Sequence, residues 1–542
     1  MSTPHDHQAT PAGGRTARSH VTDLLSFTGR HRVLHLTWFA FFMSFVVWFA
    51  FAPIAGMVGA ELGLSGDQLT VLALCNVALT VPARLLVGMA LDRWGPRRVY
   101  ATILLYASVP TVLTALATTF ELLVVARLAA SIVGAGFVVG IRMVSEWFPP
   151  REVGIAEGVY GGWGNFGSAA AALTVPTLAG FAGGWRGALV AVGAVAAAYG
   201  LFYLRNVADT PEGRTYARPK RQGALEVTSR GAVIGLIALN APLVGILMLL
   251  AWRLQLIGFL TPTTMWTVIA VLGVLLVIQS LTIFRVNRPA WQNRYPAHDR
   301  YPLRSVAVLC FAYAVTFGAE LAVVSMLPAF FAETFGLSPV IAGASAAAFA
   351  FMNLVARPTG GLLSDLLGSR RRTLIALLWV LSAGFALLAA VNESWPLFAA
   401  ILATMACSFF VQAGEGATYA IVPLVKRRVS GQISGMVGAY GNVGSLLFLT
   451  LLLVTGPTVF FLTIGASALL AAVAGRWLVE PEGAFDEAPE ADGPADVDTP
   501  VAAHHEPVPV GVPATPRRRE DRSPLLGPAP RNDGEHGDVD AP

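Results

Sequence analysis

Two arginines lie deep in apolar runs: Arg84 in LTVPARLLVGMA and Arg357 in FMNLVARPTGGL. An arginine at mid-bilayer costs at least ~2.5–3.5 kcal/mol, so each needs a partner or a task. A planar guanidinium suits two-point recognition of a small oxyanion. The other readings are an ion pair with a carboxylate, or a side chain reaching back to an interface. The two positions are equivalent in an internal repeat, which sets two like charges across one cavity with few acids nearby and favours an anion. Glu320 and Glu415 also lie deep in apolar runs, and either is placed to take and release a proton. Glu320 follows Phe317 by three residues and shares its helical face, toward the cavity. For Glu415, pairing with another polar helix face stands beside the proton reading. Gly88-x-x-x-Asp92-x-x-Gly95 and Gly361-x-x-x-Asp365-x-x-Gly368 both precede arginines. These carboxylates read as a structural gate, accepting from a helix N-terminus or from an arginine such as Arg127.

The elements that must position these groups repeat as well. GIAEGVYGGWGNFGS (154–168) and GQISGMVGAYGNVGS (431–445) share five glycines, a serine and an asparagine, Asn165 or Asn442. Glycines three or four apart let another backbone approach one helix face closely. An asparagine on such a face is costly in hydrocarbon unless it has a partner. Packing with an incidental asparagine is the alternative, and the second copy weighs against it. Arg357 follows Arg84 by 273 residues, as Asp365 follows Asp92, and the glycine helices are offset by 277. Two homologous halves with a site between them account for this pattern.

Of 542 residues, 55% are hydrophobic and 13% charged, with mean hydropathy +0.62. That composition predicts an all-α polytopic membrane protein. No cleavable signal peptide is expected, because the first apolar run is too long. The basic balance reads as loop topology, not nucleic-acid binding. Cys75, Cys310 and Cys407 sit in apolar runs without spacing, and no histidine pair suits a metal, so no cofactor or metal is expected. About fourteen spans are predicted, near 34–58, 67–91, 99–118, 121–148, 154–178, 186–205, 231–252, 264–284, 303–333, 338–366, 373–391, 396–424, 431–454 and 457–478. Arginine-rich loops alternate with short loops carrying Glu61, Asp67, Glu121, Glu333 and Glu393, which puts both termini in the cytoplasm of a cell-membrane protein. The predicted organisation is a disordered 1–30, a six-helix half at 31–205, central loops with two added helices at 206–302, a second half at 303–479 and a disordered tail at 480–542.

These residues resemble the nitrate/nitrite porter family of the major facilitator superfamily, over roughly 34–205 and 303–478. The carriers of the resemblance are Gly161-Gly-Trp-Gly-Asn-Phe-Gly167 and Gly438-Ala-Tyr-Gly-Asn-Val-Gly444. Phe317-Gly-Ala-Glu-Leu321, Ala356-Arg-Pro-Thr-Gly-Gly361 and Gly414-Glu-Gly-Ala-Thr418 add to it. The resemblance implies that Arg84 and Arg357 clamp the anion. It implies that Phe45, Phe137 and Phe317, with Tyr313 nearby, sandwich its flat face. Asn165 would bond the anion or support the arginines, with Asn442 as its counterpart. The pair at 231–284 departs from the family's twelve-span pattern.

The expected function is secondary transport of nitrate, and nitrite, across a lipid bilayer. Moving a monoanion inward against an inside-negative potential costs ~2.3 kcal/mol per 100 mV, so uptake needs protons or an outgoing anion. Two arginines facing one monoanion leave a positive site, which suits strict exchange; a titratable Glu320 or Glu415 shifts the balance to proton symport, the preferred reading. A membrane nitrate sensor signalling through the tail, and a carrier for another small anion, remain as alternatives. No nucleophile–base set supports an enzyme.

Overall fold

The computed structural model describes residues 26–486. The ends expected to be disordered fall almost wholly outside the described residues. Fourteen helical segments carry the chain. Thirteen are long and apolar enough to cross a membrane. The fourteenth is the glycine-rich Val153–Phe181, 29 residues long, or about 43 Å at ~1.5 Å per residue, against a hydrocarbon core of about 30 Å. In the first half these are α1 (Gly29–Leu62), α2 (Gly66–Trp94), α3 (Pro96–Leu116), α4 (Phe120–Trp147), α5 (Val153–Phe181) and α6 (Trp185–Asn206). The added pair is α7 (Arg230–Leu256) and α8 (Pro262–Val286). The second half holds α9 (Leu303–Phe335), α10 (Ile341–Leu366), α11 (Arg370–Ala389), α12 (Leu397–Leu424), α13 (Arg427–Leu452) and α14 (Pro457–Trp477).

The repeat survives as local geometry. α2 breaks at Leu79 and α10 at Met352, each five residues before its arginine. Pro82 and Pro358 follow the breaks, and a proline lacks the N–H that would bond four residues back. The carbonyl freed by Pro358 belongs to Leu354, and the Trp163 indole donates to it at 3.2 Å. Gly95 and Gly368 turn the chain out of these helices at φ +84° and +67°, where only glycine is unstrained.

The halves pack crosswise. α5 of the first half lies along α1 and α10, and α13 of the second lies along α9 and α2. Glycines permit both crossings: a methyl at Gly158 would stand 2.6 Å from the Arg357 carbonyl, and one at Gly88 2.6 Å from the Gly431 carbonyl. α7 joins α13 through Tyr440, whose hydroxyl donates to the Leu239 carbonyl at 2.8 Å. α8 is peripheral and exposes Trp266, Val274, Val277 and Leu281, side chains suited to lipid.

The arginine-rich loops fold against the helix ends. Arg428 pairs with Glu226 at 2.9 Å and also with Asp299, which Lys426 holds at 2.9 Å. Burial raises the Asp299 carboxyl, but hydrogen bonds and charge from Lys426 and Arg428 outweigh it and bring it down to about 2. The start of the tail departs from expectation. Residues 480–486 are described and packed: Ala484 is buried, the Arg151 N–H donates to the Asp486 carbonyl at 3.3 Å, and Arg370 lies over the Phe485 ring at 5.3 Å. Sequence composition gave no sign that these seven residues dock.

Candidate functional site

Arg84 and Arg357 converge on one aromatic ring. Their guanidinium carbons lie 5.6 and 5.2 Å from the centroid of Phe137. Arg84 also stands 5.1 Å over Phe317. Tyr313 runs parallel to Phe137 at 6.1 Å and to Phe317 at 5.1 Å. Tyr419, which the sequence did not single out, meets Phe137 and Tyr313 edge-on at 4.8 Å each. The result is a stack of flat rings with two cations at its margin, and neither arginine is more than 1% exposed. Such a stack favours guanidinium groups through cation–π attraction.

Each arginine rests on the glycine helix of the opposite half. A methyl at Gly161 of α5 would stand 2.5 Å from the Arg357 Nε, and one at Gly438 of α13 would stand 3.3 Å from the Arg84 Cδ. Arg84 donates to the carbonyls of Gly438 and of Gly134, the latter at 3.4 Å. Its Nη2 has no hydrogen-bond partner among the described residues. Arg357 donates to the Tyr313 hydroxyl at 3.1 Å and pairs with Glu415 at 2.6 Å. The carboxylate pairing weighed for these arginines therefore holds for Arg357.

Glu320 accepts from Asn353 and, at 3.5 Å, from Asn165. The Asn165 Oδ1 and both polar side-chain atoms of Asn442 are buried without hydrogen bonds among the described residues. Phe45 stands one ring away: it packs on Phe41 at 4.4 Å, and Phe41 lies 5.3 Å from Phe137. A third buried acid, Glu157 on α5, was missed. It lies near the start of its apolar run and reads there as a helix-end charge, yet it is 1% exposed. Its spacing of four from Gly161 and eight from Asn165 was the available signal.

At the arginine-rich end the two halves again cap each other. Asp92 accepts from the N–H groups of Gly431 and Gln432 at 3.1 and 3.0 Å, in the first turn of α13. Asp365 accepts from Gly154 and Ile155 at 3.1 and 2.7 Å, in the first turn of α5. Helix N-termini leave such donors free and favour negative charge. Arg370 adds an ion pair to Asp365 at 2.7 Å. Arg127 is not part of this end. It bonds the Trp48 carbonyl and Asn76, and lies 4.8 Å over the Phe51 ring. Arg142, buried and paired with Glu146 at 2.8 Å, is the arginine at this end, donating to the Arg427 carbonyl and the Ser430 hydroxyl beside the N-terminus that Asp92 caps.

The Major Facilitator Superfamily model matches residues 37–303 and 309–525. The nitrate/nitrite transporter NrtP of Picosynechococcus is 47% identical over 511 residues, covering 86% of this chain and 96% of that protein. The protein of the same name from Nostoc punctiforme is 48% identical over 481 residues with the same coverage. High-affinity nitrate transporter 2.3 of rice is 30% identical over 438 residues, 78% of this chain and 72% of that one. In fold, the chain resembles the human organic anion transporter MFSD10 (TM-score 0.55, 14% identity, 83% of this chain and all of that one). It likewise resembles the proton:xylose symporter XylE (TM-score 0.55, 13% identity, 84% and 97%). The repeated helices, the crossed packing and these relatives together place the chain in the nitrate/nitrite porter family of the Major Facilitator Superfamily, as a multi-pass membrane protein.

Proposed function

We propose that this protein carries nitrate, and nitrite, across the cell membrane by alternating access, with proton-coupled uptake as its mode. The observation that carries the reading is the sharing of the Phe137 ring by two buried arginines, one from each half. A flat monoanion has the shape for the aromatic stack and the charge for the guanidinium pair, whose planar donors match its oxygens. Arg84 and Arg357 would hold it, Phe137, Phe317 and Tyr313 would pack its faces, Asn442 would donate its free Nδ2, Asn165 would turn to it the Nδ2 that now donates to Glu320, and Phe45 would back the stack. Because the arginines come from opposite halves, closing the halves completes the site and parting them opens it on one side. The carboxylates at Asp92 and Asp365, with Gly88, Gly95, Gly361 and Gly368 shaping their turns, would form the gate at the arginine-rich, cytoplasmic end.

Charge supports coupling. Arg84 and Arg357 face three buried acids, Glu157, Glu320 and Glu415, so an entering monoanion adds negative charge to a site with no positive excess. A proton on a carboxylate restores the balance and offsets the ~2.3 kcal/mol per 100 mV that the membrane potential sets against the anion. The test is nitrate flux in liposomes under imposed pH gradients, with nitrite and chlorate as competitors. Nitrate accumulation driven by an inward proton gradient is expected. Counterflow without such accumulation would make the protein an exchanger, and failure of both nitrate and nitrite to compete would remove the substrate assignment.

A further inference from the structure

Of the three acids buried near the site, Glu415 is paired with Arg357 and Glu320 is held by two asparagines. Glu157 is not engaged: neither carboxylate oxygen has a hydrogen bond or ion pair among the described residues. It lies on the stripe of α5 that holds Gly161, one turn away, and Asn165, two turns away. Gly161 touches the Arg357 guanidinium, and Gly154, three residues before Glu157, touches Asp365. Glu157 therefore stands between the anion site and the gate. The titratable charged groups on the helices packed against α5 are Arg357 and Asp365 on α10, Glu415 on α12, Glu121, Arg127, Arg142 and Glu146 on α4, Arg30, His31, Arg32, His35 and Glu61 on α1, and Arg186 and Arg205 on α6. Of these, Arg357 is the cation against which this stretch of α5 lies: methyls at Gly158 and Gly161 would stand 2.6 Å from its carbonyl and 2.5 Å from its Nε. The equivalent residue of the second half is Ser434, buried with an unpartnered hydroxyl. Packing at this place therefore does not require an acid.

We propose that Glu157 couples proton to anion movement by competing with the anion for Arg357. A buried, unpartnered carboxylate is costly, and both a proton and a nearby guanidinium relieve the cost. When the anion engages Arg357, it neutralises the positive charge near the Glu157 carboxylate, which takes up one proton from a hydronium ion at the open side: one O–H bond of the hydronium breaks as one forms on Glu157. When the anion leaves, that bond breaks, the proton passes to water admitted at the open gate, and the carboxylate regains Arg357. One anion and one proton thus enter and leave together. Glu320 and Glu415 are left to position Asn165 and Arg357.

This inference rests on the proton-coupled reading above, and the experiment separates the two. Purified full-length protein and its Glu157→Gln and Glu157→Asp forms are placed in nitrate-loaded and empty liposomes. Counterflow at equal pH, accumulation driven by a proton gradient, and nitrate affinity from pH 5.5 to 8 are read for each. For the wild type, gradient-driven accumulation and tighter nitrate binding at acid pH are expected. For Glu157→Gln, the ratio of driven accumulation to counterflow falls at least ten-fold and affinity no longer varies with pH. Glu157→Asp keeps coupling with a shifted pH midpoint, and so serves if the glutamine form does not fold. A glutamine form that retains driven accumulation and the wild-type pH profile, or an aspartate form with an unshifted midpoint, overturns the role of Glu157 and leaves proton coupling standing. A wild type without proton-driven accumulation overturns both.

Discussion

Arg84 and Arg357 occupy the same place in two repeats but have different surroundings. Arg357 has a carboxylate, Glu415, at 2.6 Å, whereas no ion pair to Arg84 is present among the described residues. Lysine would keep either charge and lose the fork. A charge-assisted hydrogen bond is worth ~1.5–3 kcal/mol, so Arg84→Lys and Arg357→Lys should each raise the nitrate KM about ten- to a hundred-fold in liposome uptake. Arg357→Lys should also lower Tm more than Arg84→Lys, because it disturbs a buried pair; equal shifts would contradict the asymmetry. The glycines give a second contrast. Gly161→Ala brings a methyl within 2.5 Å of the Arg357 Nε, against 3.3 Å from the Arg84 Cδ at Gly438→Ala, so the first should impair uptake more than the second. The arginines were legible in the sequence because a charge stands out in an apolar run. Glu157 was not, since an acid at the fifth residue of a helix looks like an end charge. The Arg357–Glu415 pair was legible only as one of two options, because about 58 residues of chain separate the partners and only the fold brings them together.

At the scale of elements, two carboxylates cap helices that belong to the other half. An N-cap contributes ~0.5–2 kcal/mol, and removing one partner of a buried ion pair costs ~3–5 kcal/mol. Asp365→Ala loses both and leaves Arg370 unpaired, whereas Asp92→Ala loses only the cap. Asp365→Ala should therefore shift the protein further toward a state open at the arginine-rich end. Thiol labelling of a cysteine placed at Ser364, buried in this structure, measures this, because the three native cysteines are buried; slower labelling in Asp365→Ala than in Asp92→Ala would reverse the ranking. The loop cluster at Asp299 gives a pH prediction. Its carboxyl is lowered to about 2 from 3.8, so its contribution is complete above the ordinary aspartate value and is lost as pH falls through about 2. The Tm difference between wild type and Asp299→Asn should be constant from pH 7 to 5 and shrink below pH 4. The repeat made the two glycine–aspartate loop motifs readable, and the helix N-terminus was the expected partner. Which N-terminus was not readable: identical motifs in both halves fit a direct and a crossed arrangement equally well.

At the scale of the molecule, the tail begins as structure. Glu480 accepts from the N–H groups of Arg370 and Arg371 at 2.8 and 3.1 Å, at the start of α11. Arg370 reaches the carbonyl of Pro150 in the first half at 2.6 Å and that of Ala484 at 3.2 Å. Truncation after Asp486 should leave nitrate flux near wild type, which also separates a carrier from a sensor acting through its tail. Truncation after Trp477 should lower Tm and weaken closure, and equal flux and Tm in the two truncations would show the docked stretch to be dispensable. Thirteen spans were legible from hydropathy, and the fourteenth from its glycine repeat and the alternation of loop charge. The docking of 480–486 was not, because a stretch poor in apolar residues is held by backbone carbonyls and two side chains.

The crossed caps also bear on inheritance. A half released from its partner would lose the acceptor for its own glycine helix and the surface on which its arginine lies. Duplication followed by exchange of contacts turns two similar segments into two dependent ones, free to diverge only as a pair. Glu157 facing a serine at its twin position is one trace of that divergence. Compensating changes for a lesion in one half should accordingly accumulate in the other, across the 211 residues from Gly154 to Asp365 or the 339 from Asp92 to Gly431, more often than beside the lesion itself.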